Sequence, residues 1–379
     1  MNLLTRPGIG CKSGRHAEAP RFYRQPVQMN LELTRECPLH CPQCYVAPDA
    51  RRSMPLETAL HHIREAADCG VRDVNLSGGE TLCYQGLEIL IRTCSSMGLT
   101  SAVSLSGALA DDRTLRGLVD AGVSQIYISL NGSSREINEK TRDGYECAIS
   151  ALEILRRIRD NSTSVFTGIN WVMHAVNADD FPAMIRLAEE YHVLVLVVMG
   201  LKPDAAGKLD GFPSRAQMLN IVRQIRSYSG PVEIGVESCF SPLRALAGES
   251  LFAGNLNRGI ERGCGAGRDA FSVDVDGNYT PCRHILIPER YPSLDAYWND
   301  SPVLHKLRSA EDHRRPPCAG CRRKASCLPC MDIGEKLGGD LLAGFPGCPL
   351  ADHDSWGKQQ WEQDQNRVPA AVPDSTISS

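Results

Sequence analysis

Cys37, Cys41 and Cys44 share one short loop, Cys37-Pro38-Leu39-His40-Cys41-Pro42-Gln43-Cys44, in the pattern CxxxCxxC. Three thiolates this close can hold an iron–sulfur cluster. A [4Fe–4S] centre ordinarily takes four cysteines, so this set leaves one iron without a protein ligand and open to a molecule that reacts. Zinc is the competing reading, because zinc loops also place cysteines two to four residues apart. A zinc site here would need His40 to complete it.

Seven further cysteines, Cys264, Cys282, Cys318, Cys321, Cys327, Cys330 and Cys348, crowd the last third of the chain. Two CxxC pairs among them admit zinc knuckles as well as iron–sulfur ligation. Cys11, Cys69, Cys83, Cys94, Cys147 and Cys239 are scattered, and packing as small buried hydrophobes is their default role. The chain has 16 cysteines in 379 residues. Its N-terminus lacks the apolar core of a secretory signal, so metal explains these cysteines better than disulfides, and the expected compartment is the cytoplasm. A net charge of −4 gives no nucleic-acid footprint, and no apolar run approaches the ~20 residues of a membrane span.

The elements that must position these cysteines follow a βαβ rhythm. Strands are predicted at 27–33, 71–76, 100–105, 125–130, 165–173 and 193–199, and helices at 55–67, 86–97, 112–121, 145–160, 180–191 and 214–229. A doubly wound sheet and a barrel both fit this order. The motifs favour a barrel, whose chemistry gathers at the C-terminal ends of its strands. The cysteine loop follows the first strand, Gly78-Gly79-Glu80 the second, Ser106-Gly107 the third and Asn131-Gly132 the fourth. The expected fold class is α/β, a partial (β/α)6 TIM-like barrel followed by a cysteine-rich domain. A small hairpin is expected at 271–275 and 279–280 around Asp276-Gly277. The expected organisation is an extension at 1–26, a barrel at 27–230, a cysteine domain at 231–352 and a polar tail at 353–379.

With these features the chain resembles the radical S-adenosylmethionine (SAM) superfamily across residues 27–230. The resemblance implies a [4Fe–4S] cluster on Cys37, Cys41 and Cys44, with SAM on the open iron. Gly78, Gly79 and Glu80 match the segment that contacts the methionine amino group. Ser129 and Asn131 match positions that hydrogen-bond the ribose, and Arg142 matches an arginine near the SAM carboxylate. Gln43 departs from the family's common aromatic residue before the third cysteine.

The C-terminal cysteines are similar to the SPASM domain, with a contraction before Cys330. The resemblance implies an outer auxiliary [4Fe–4S] cluster on Cys318, Cys321, Cys327 and Cys348, and an inner one on Cys264, Cys282 and Cys330. Relatives with a full inner set carry another cysteine shortly before the first SPASM cysteine, but residues 255–263 contain none, and Cys239 lies far upstream. The expectation is therefore an inner cluster with an open or non-cysteine-ligated iron.

The resemblance further implies oxidative modification of a ribosomally made peptide, such as a thioether or carbon–carbon cross-link. Expected partners are that peptide and a reductant such as flavodoxin or ferredoxin; with only about 26 residues before the first strand, against ~80 for a leader-binding module, the peptide would need either a separate leader-binding protein or direct binding by the barrel. A small-molecule substrate is the alternative. Anaerobic sulfatase maturation is disfavoured, because Arg283 stands where those enzymes carry an Asp after the second SPASM cysteine. A plain electron carrier leaves Gly78-Gly79-Glu80 and the barrel unexplained. Asp274, Asp276, Tyr279, Arg283, Lys202 and Cys83 are weighed as acid, base or thiol, and none is singled out.

Overall fold

The structure is a computed structural model that describes residues 22–46, 51–161, 165–248 and 263–351. Cys11 and the tail at 353–379 lie outside the described residues.

All six expected strands form: β1 (Gln28–Thr34), β2 (Asp73–Gly78), β3 (Thr100–Leu105), β4 (Gln125–Ser129), β5 (Phe166–Met173) and β6 (Val195–Gly200). Each pairs in parallel with the next. The crossovers run through α1 (Leu56–Asp68), α2 (Leu87–Ser96), α3 (Asp112–Asp120), α4 (Arg135–Asn138), α5 (Tyr145–Asn161) and α6 (Phe181–Glu190), with α7 (Arg215–Ser227) following β6.

The sheet is longer than the six strands the pattern supplies. β7 (Glu233–Val236) adds to β6 in parallel, and β8 (Ala270–Val273) adds to β1 in parallel, with β9 (Tyr279–Thr280) antiparallel beyond it. The order is β7-β6-β5-β4-β3-β2-β1-β8-β9, an unclosed curved sheet. The Asp276-Gly277 hairpin joins β8 to β9. Because β8 lies against β1, the C-terminal cysteine region is fastened to the strand that carries the first cysteine loop.

Strand alternation divides the sheet chemically. On one parity, Met29, Leu31, Leu33, Val74, Leu76, Val103, Ile126, Ile128, Ile169 and Trp171 are buried, the apolar face that crossover helices cover; Trp171, for instance, packs on Phe181 of α6 at 5.2 Å. The other parity carries Asn30, Glu32, Asn75, Ser77, Ser104, Tyr127, Ser129 and Asn170. Asn75 donates to Asn30 at 2.9 Å, and Asn170 of β5 donates to Ser104 of β3 at 3.3 Å. That second bond reaches across β4, so the polar parity occupies the concave side. A barrel with a polar interior is built to hold a ligand rather than a packed core.

The C-terminal region adds an aromatic cluster to the barrel core, with Tyr279 stacked on Tyr297 at 4.8 Å and Phe271 against Trp298. Glu65 of α1 locks it to the barrel, accepting from Tyr279 Oη at 2.5 Å and from the Leu294 N–H at 2.7 Å. Burial alone would raise the Glu65 carboxyl. Neighbouring His62 and these two donors more than offset that and hold it at about 2. A carboxyl depressed in the folded state adds stability above its unfolded pKa and loses it as pH falls through the folded value. Glu65→Gln is therefore expected to cost about 1–2 kcal/mol at pH 7, discounted for partial solvation. The wild-type advantage should shrink from about pH 4.5 towards pH 2 in urea denaturation; an advantage independent of pH would show that the carboxylate charge is not what binds the two regions.

Candidate functional site

The cysteine loop leaves the C-terminal end of β1 and is held from two sides. From β2, the Gly79 N–H donates to Thr34 O and the Glu80 N–H to Glu36 O, both at 2.8 Å. A Cβ on Gly79 would sit 2.5 Å from the Glu36 carbonyl oxygen, so only glycine lets the backbone close on the loop. From the far side, the His40 N–H donates to Asp143 Oδ2 at 2.8 Å. Cys37 lies within electrostatic reach of Cys41, Cys44 and Glu80. Burial pushes the Cys37 thiol up to about 11 and raises that of Cys44. These groups are thiols at neutral pH in the bare protein, and a metal must displace their protons.

Glu80 is buried and already accepts hydrogen bonds from the Leu82 N–H (3.1 Å), the Ser106 N–H (2.7 Å) and the Ser106 hydroxyl. It ties the end of β2 to the end of β3 beside Cys37. Ser129 closes β4 on the concave parity. Asn131 lies just past the end of β4. Its side chain is fully buried, donates to Thr141 Oγ1 and accepts from the Val172 N–H, both at 3.0 Å. This amide ties the end of β4 to β5. Arg142 stands next to Cys44, and its buried Nε has no acceptor among the described residues.

The later cysteines gather in two sets of four. Cys318, Cys321, Cys327 and Cys348 are mutual electrostatic neighbours, and burial raises Cys327 to about 12 and Cys348 to about 11. The Phe345 N–H points at Cys318 Sγ (3.3 Å) and the Arg323 N–H at Cys321 Sγ (3.4 Å). Backbone donors aimed at sulfur tune the potential of an iron–sulfur centre, so this donor set fits such a group.

In the second set the structure brings Cys239 beside Cys264, Cys282 and Cys330. Cys264, Cys282 and Cys330 do not stand as a set of three. The Cys239 thiol hydrogen-bonds Cys330, and Cys264 and Cys282 both lie near it. Cys239 follows β7, and the turn after it folds back because the Ser241 hydroxyl bonds Leu328 O, two residues before Cys330. No spacing rule signals that contact. The hydrogen bond to Cys330, then burial, raises the Cys239 thiol far above its ordinary value.

Several candidate groups have structural duties. Asp274 accepts from the Asp276 and Asn278 N–H groups, shaping the hairpin turn. Asp276 pairs with Arg52 at 2.6 Å, and Tyr279 with Glu65. Cys83 sits by Glu80 and Glu36; burial first, then these carboxylates, raise its thiol, which argues against a reactive thiolate. Lys202 pairs with Glu237 at 2.7 Å, beside Cys239 and Cys330.

Between the first loop and the inner cysteines lie Tyr45, Arg283 and His284. Tyr45 and His284 rings are 4.3 Å apart, and Arg283 Nη2 contacts the Tyr45 hydroxyl. Gln43 Oε1, Arg283 Nε and His284 Nδ1 are buried without hydrogen-bond partners among the described residues. Orphaned polar atoms converging here fit a site built around a ligand. Sequence reading also missed Asp332, a buried carboxyl with Lys336 at 3.8 Å, which burial pushes up to about 6.

Residues 31–188 match the family model described as the radical SAM superfamily. The chain is 27% identical over 350 residues to a PqqA peptide cyclase of Methylobacterium nodulans, with 86% of each chain covered. It is 27% identical over 356 residues to a PqqA peptide cyclase of Rhodopseudomonas palustris, with 90% of each covered. Among solved structures it is similar in fold to Streptococcus suis SuiB bound to precursor peptide SuiA, at a TM-score of 0.68 and 16% identity, covering 86% of this chain and 76% of that one. It is also similar to anSMEcpe with bound AdoMet, at 0.67 and 14%, covering 90% and 100%. Residues 31–188 thus form a radical SAM domain. None of the described helices is long and apolar enough to cross a membrane.

Proposed function

We propose that the chain oxidatively modifies a ribosomally made peptide, forming a cross-link or a related bond. The observation that carries this reading is the placement of the Cys37–Cys41–Cys44 loop at the mouth of a polar-lined open barrel, with a four-cysteine set across a short gap. Cys37, Cys41 and Cys44 hold a [4Fe–4S] cluster with SAM at its open iron, and together these supply a 5′-deoxyadenosyl radical able to take hydrogen from an unactivated carbon.

The protein's own part is to seat and shield. Gly78 and Gly79 bring backbone against the loop, and Glu80 fixes the edge where the methionine end of SAM lies. Ser129 serves the ribose and Arg142 the SAM carboxylate. The relatives' names, which describe peptide cyclases, support a peptide as substrate. Residues 27–230 form the barrel that initiates chemistry, and 231–352 the module that receives the second electron. Cys239, Cys264, Cys282 and Cys330 ligate its inner cluster, and Cys318, Cys321, Cys327 and Cys348 its outer one. A flavodoxin- or ferredoxin-like reductant and a separate leader-binding protein complete the system.

The test is anaerobic incubation of the reconstituted enzyme with SAM, reductant and the short peptide encoded beside its gene. The expected result is 5′-deoxyadenosine together with peptide lighter by two hydrogen atoms. Release of 5′-deoxyadenosine in which every encoded neighbouring peptide stays at its original mass would turn the reading towards a small-molecule substrate.

A further inference from the structure

Arg283 is the least explained charge in the molecule. It directly follows Cys282, and its guanidinium lies over the Tyr45 ring, 5.0 Å from the centre, with Nη2 on the Tyr45 hydroxyl. Tyr45 in turn follows Cys44, and Arg283 lies within electrostatic reach of that thiol. The side chain therefore spans the gap between the first cysteine loop and the inner cysteine set, where a substrate must lie to meet both.

Its surroundings do not balance it. Glu32, the nearest carboxylate, is held by Arg35 through bonds of 3.0 and 3.2 Å and also accepts from the Val275 N–H at 3.3 Å. Asp276 is taken by Arg52. Nε of Arg283 is buried with no acceptor among the described residues. The other ionic side chains acting on Cys44 and His284 are cations, Arg142, Lys202 and Lys336, and the Asp332 carboxyl near Cys282 has Lys336 beside it. Burying a guanidinium whose donors stay unmatched is costly. The partner that fits its planar fork is a carboxylate, bound through two parallel N–H···O bonds.

We propose that Arg283 is a specificity-determining residue that receives a carboxylate side chain, Asp or Glu, of the peptide substrate. The inference rests on the peptide reading above and narrows it to an acidic residue at or next to the modified position. SAM also carries a carboxylate, but Arg142, which likewise lies near Cys44, has its own unmatched Nε for it.

The test is equilibrium dialysis of N-acetyl-glutamate methylamide and N-acetyl-aspartate methylamide against their amide isosteres, N-acetyl-glutamine and N-acetyl-asparagine methylamide. The protein is the full-length, cluster-reconstituted, SAM-loaded enzyme. Wild type should hold one acid roughly ten-fold more tightly than its amide, about 1.4 kcal/mol. Arg283→Met should erase that preference with iron content and SAM affinity unchanged, and Arg283→Lys should restore part of it. Equal binding of acid and amide by wild type, or no retention of either, overturns the proposal. So does an Arg283→Met variant that keeps the preference but loses SAM affinity or shifts the first cluster's EPR signal, since the guanidinium would then serve the cofactor. The dialysis needs no turnover, so its failure is distinct from a failure of the peptide-modification assay.

Discussion

A Cys37→Ala/Cys41→Ala/Cys44→Ala variant, reconstituted anaerobically beside wild type, is expected to bind about eight irons where wild type binds about twelve, and to release no 5′-deoxyadenosine. The fold should survive. The loop lies beyond the end of β1, and the strand's own register with β2 and β8 does not involve the thiols. Burial keeps the Cys37 thiol protonated in the bare protein, so removing it leaves no uncompensated charge behind. Circular dichroism and thermal unfolding should therefore change little while the chemistry is lost. The same protonation gives a pH dependence with a definite sign. Protons compete with iron for Cys37, so the rate of iron loss to a chelator should rise as pH falls. Undiminished iron in the triple variant would remove the loop from the cluster. Wild type that is fully loaded and reduced but releases no 5′-deoxyadenosine would remove radical initiation.

Much of this arrangement was legible because its signals are local. Alternating apolar runs marked six strands, and the turn residues after them marked the ends where chemistry collects. Asp276-Gly277 marked a hairpin through its own backbone preference. What escaped depends on distant pairing. β7 has four residues, Glu233-Ile234-Gly235-Val236, too short and too glycine-interrupted to show a period, and it is a strand because β6 offers it an edge. Nothing in Ala270–Val273 says that its partner is β1, some 240 residues earlier in the chain. Asn131 was placed correctly at a strand end, but its use was not readable. Whether an amide faces a ligand or a neighbouring strand is decided by Val172 and Thr141, which meet it only in the folded chain.

Cys239 is the sharpest such case, and its removal carries the second large effect. Cys239→Ala is expected to lower reconstituted iron from about twelve to about eight per chain by taking away the fourth thiol of the inner set. It should also cut formation of modified peptide by on the order of 10–100-fold or more, the scale on which disturbing a metal's ligand environment is felt. Release of 5′-deoxyadenosine should persist, because Cys37, Cys41 and Cys44 sit on a different element. That split, initiation retained and product lost, is the signature of an inner site that handles the second electron. It also discriminates between the two readings of this site. If Cys264, Cys282 and Cys330 alone hold the inner cluster with an open iron, Cys239 is a packing residue and its alanine variant keeps all its iron. The geometry argues otherwise. Cys239 bonds Cys330, Lys202 and Glu237 form an ion pair beside both, and Ser241 pins the turn to Leu328. A packing cysteine needs none of these polar contacts, and in an apolar pocket each would be a cost. The Lys202 ammonium favours the Cys239 thiolate against Cys330, burial and Glu237, which together keep the bare thiol protonated, so a metal must displace that proton while the rigid turn holds the sulfur in place.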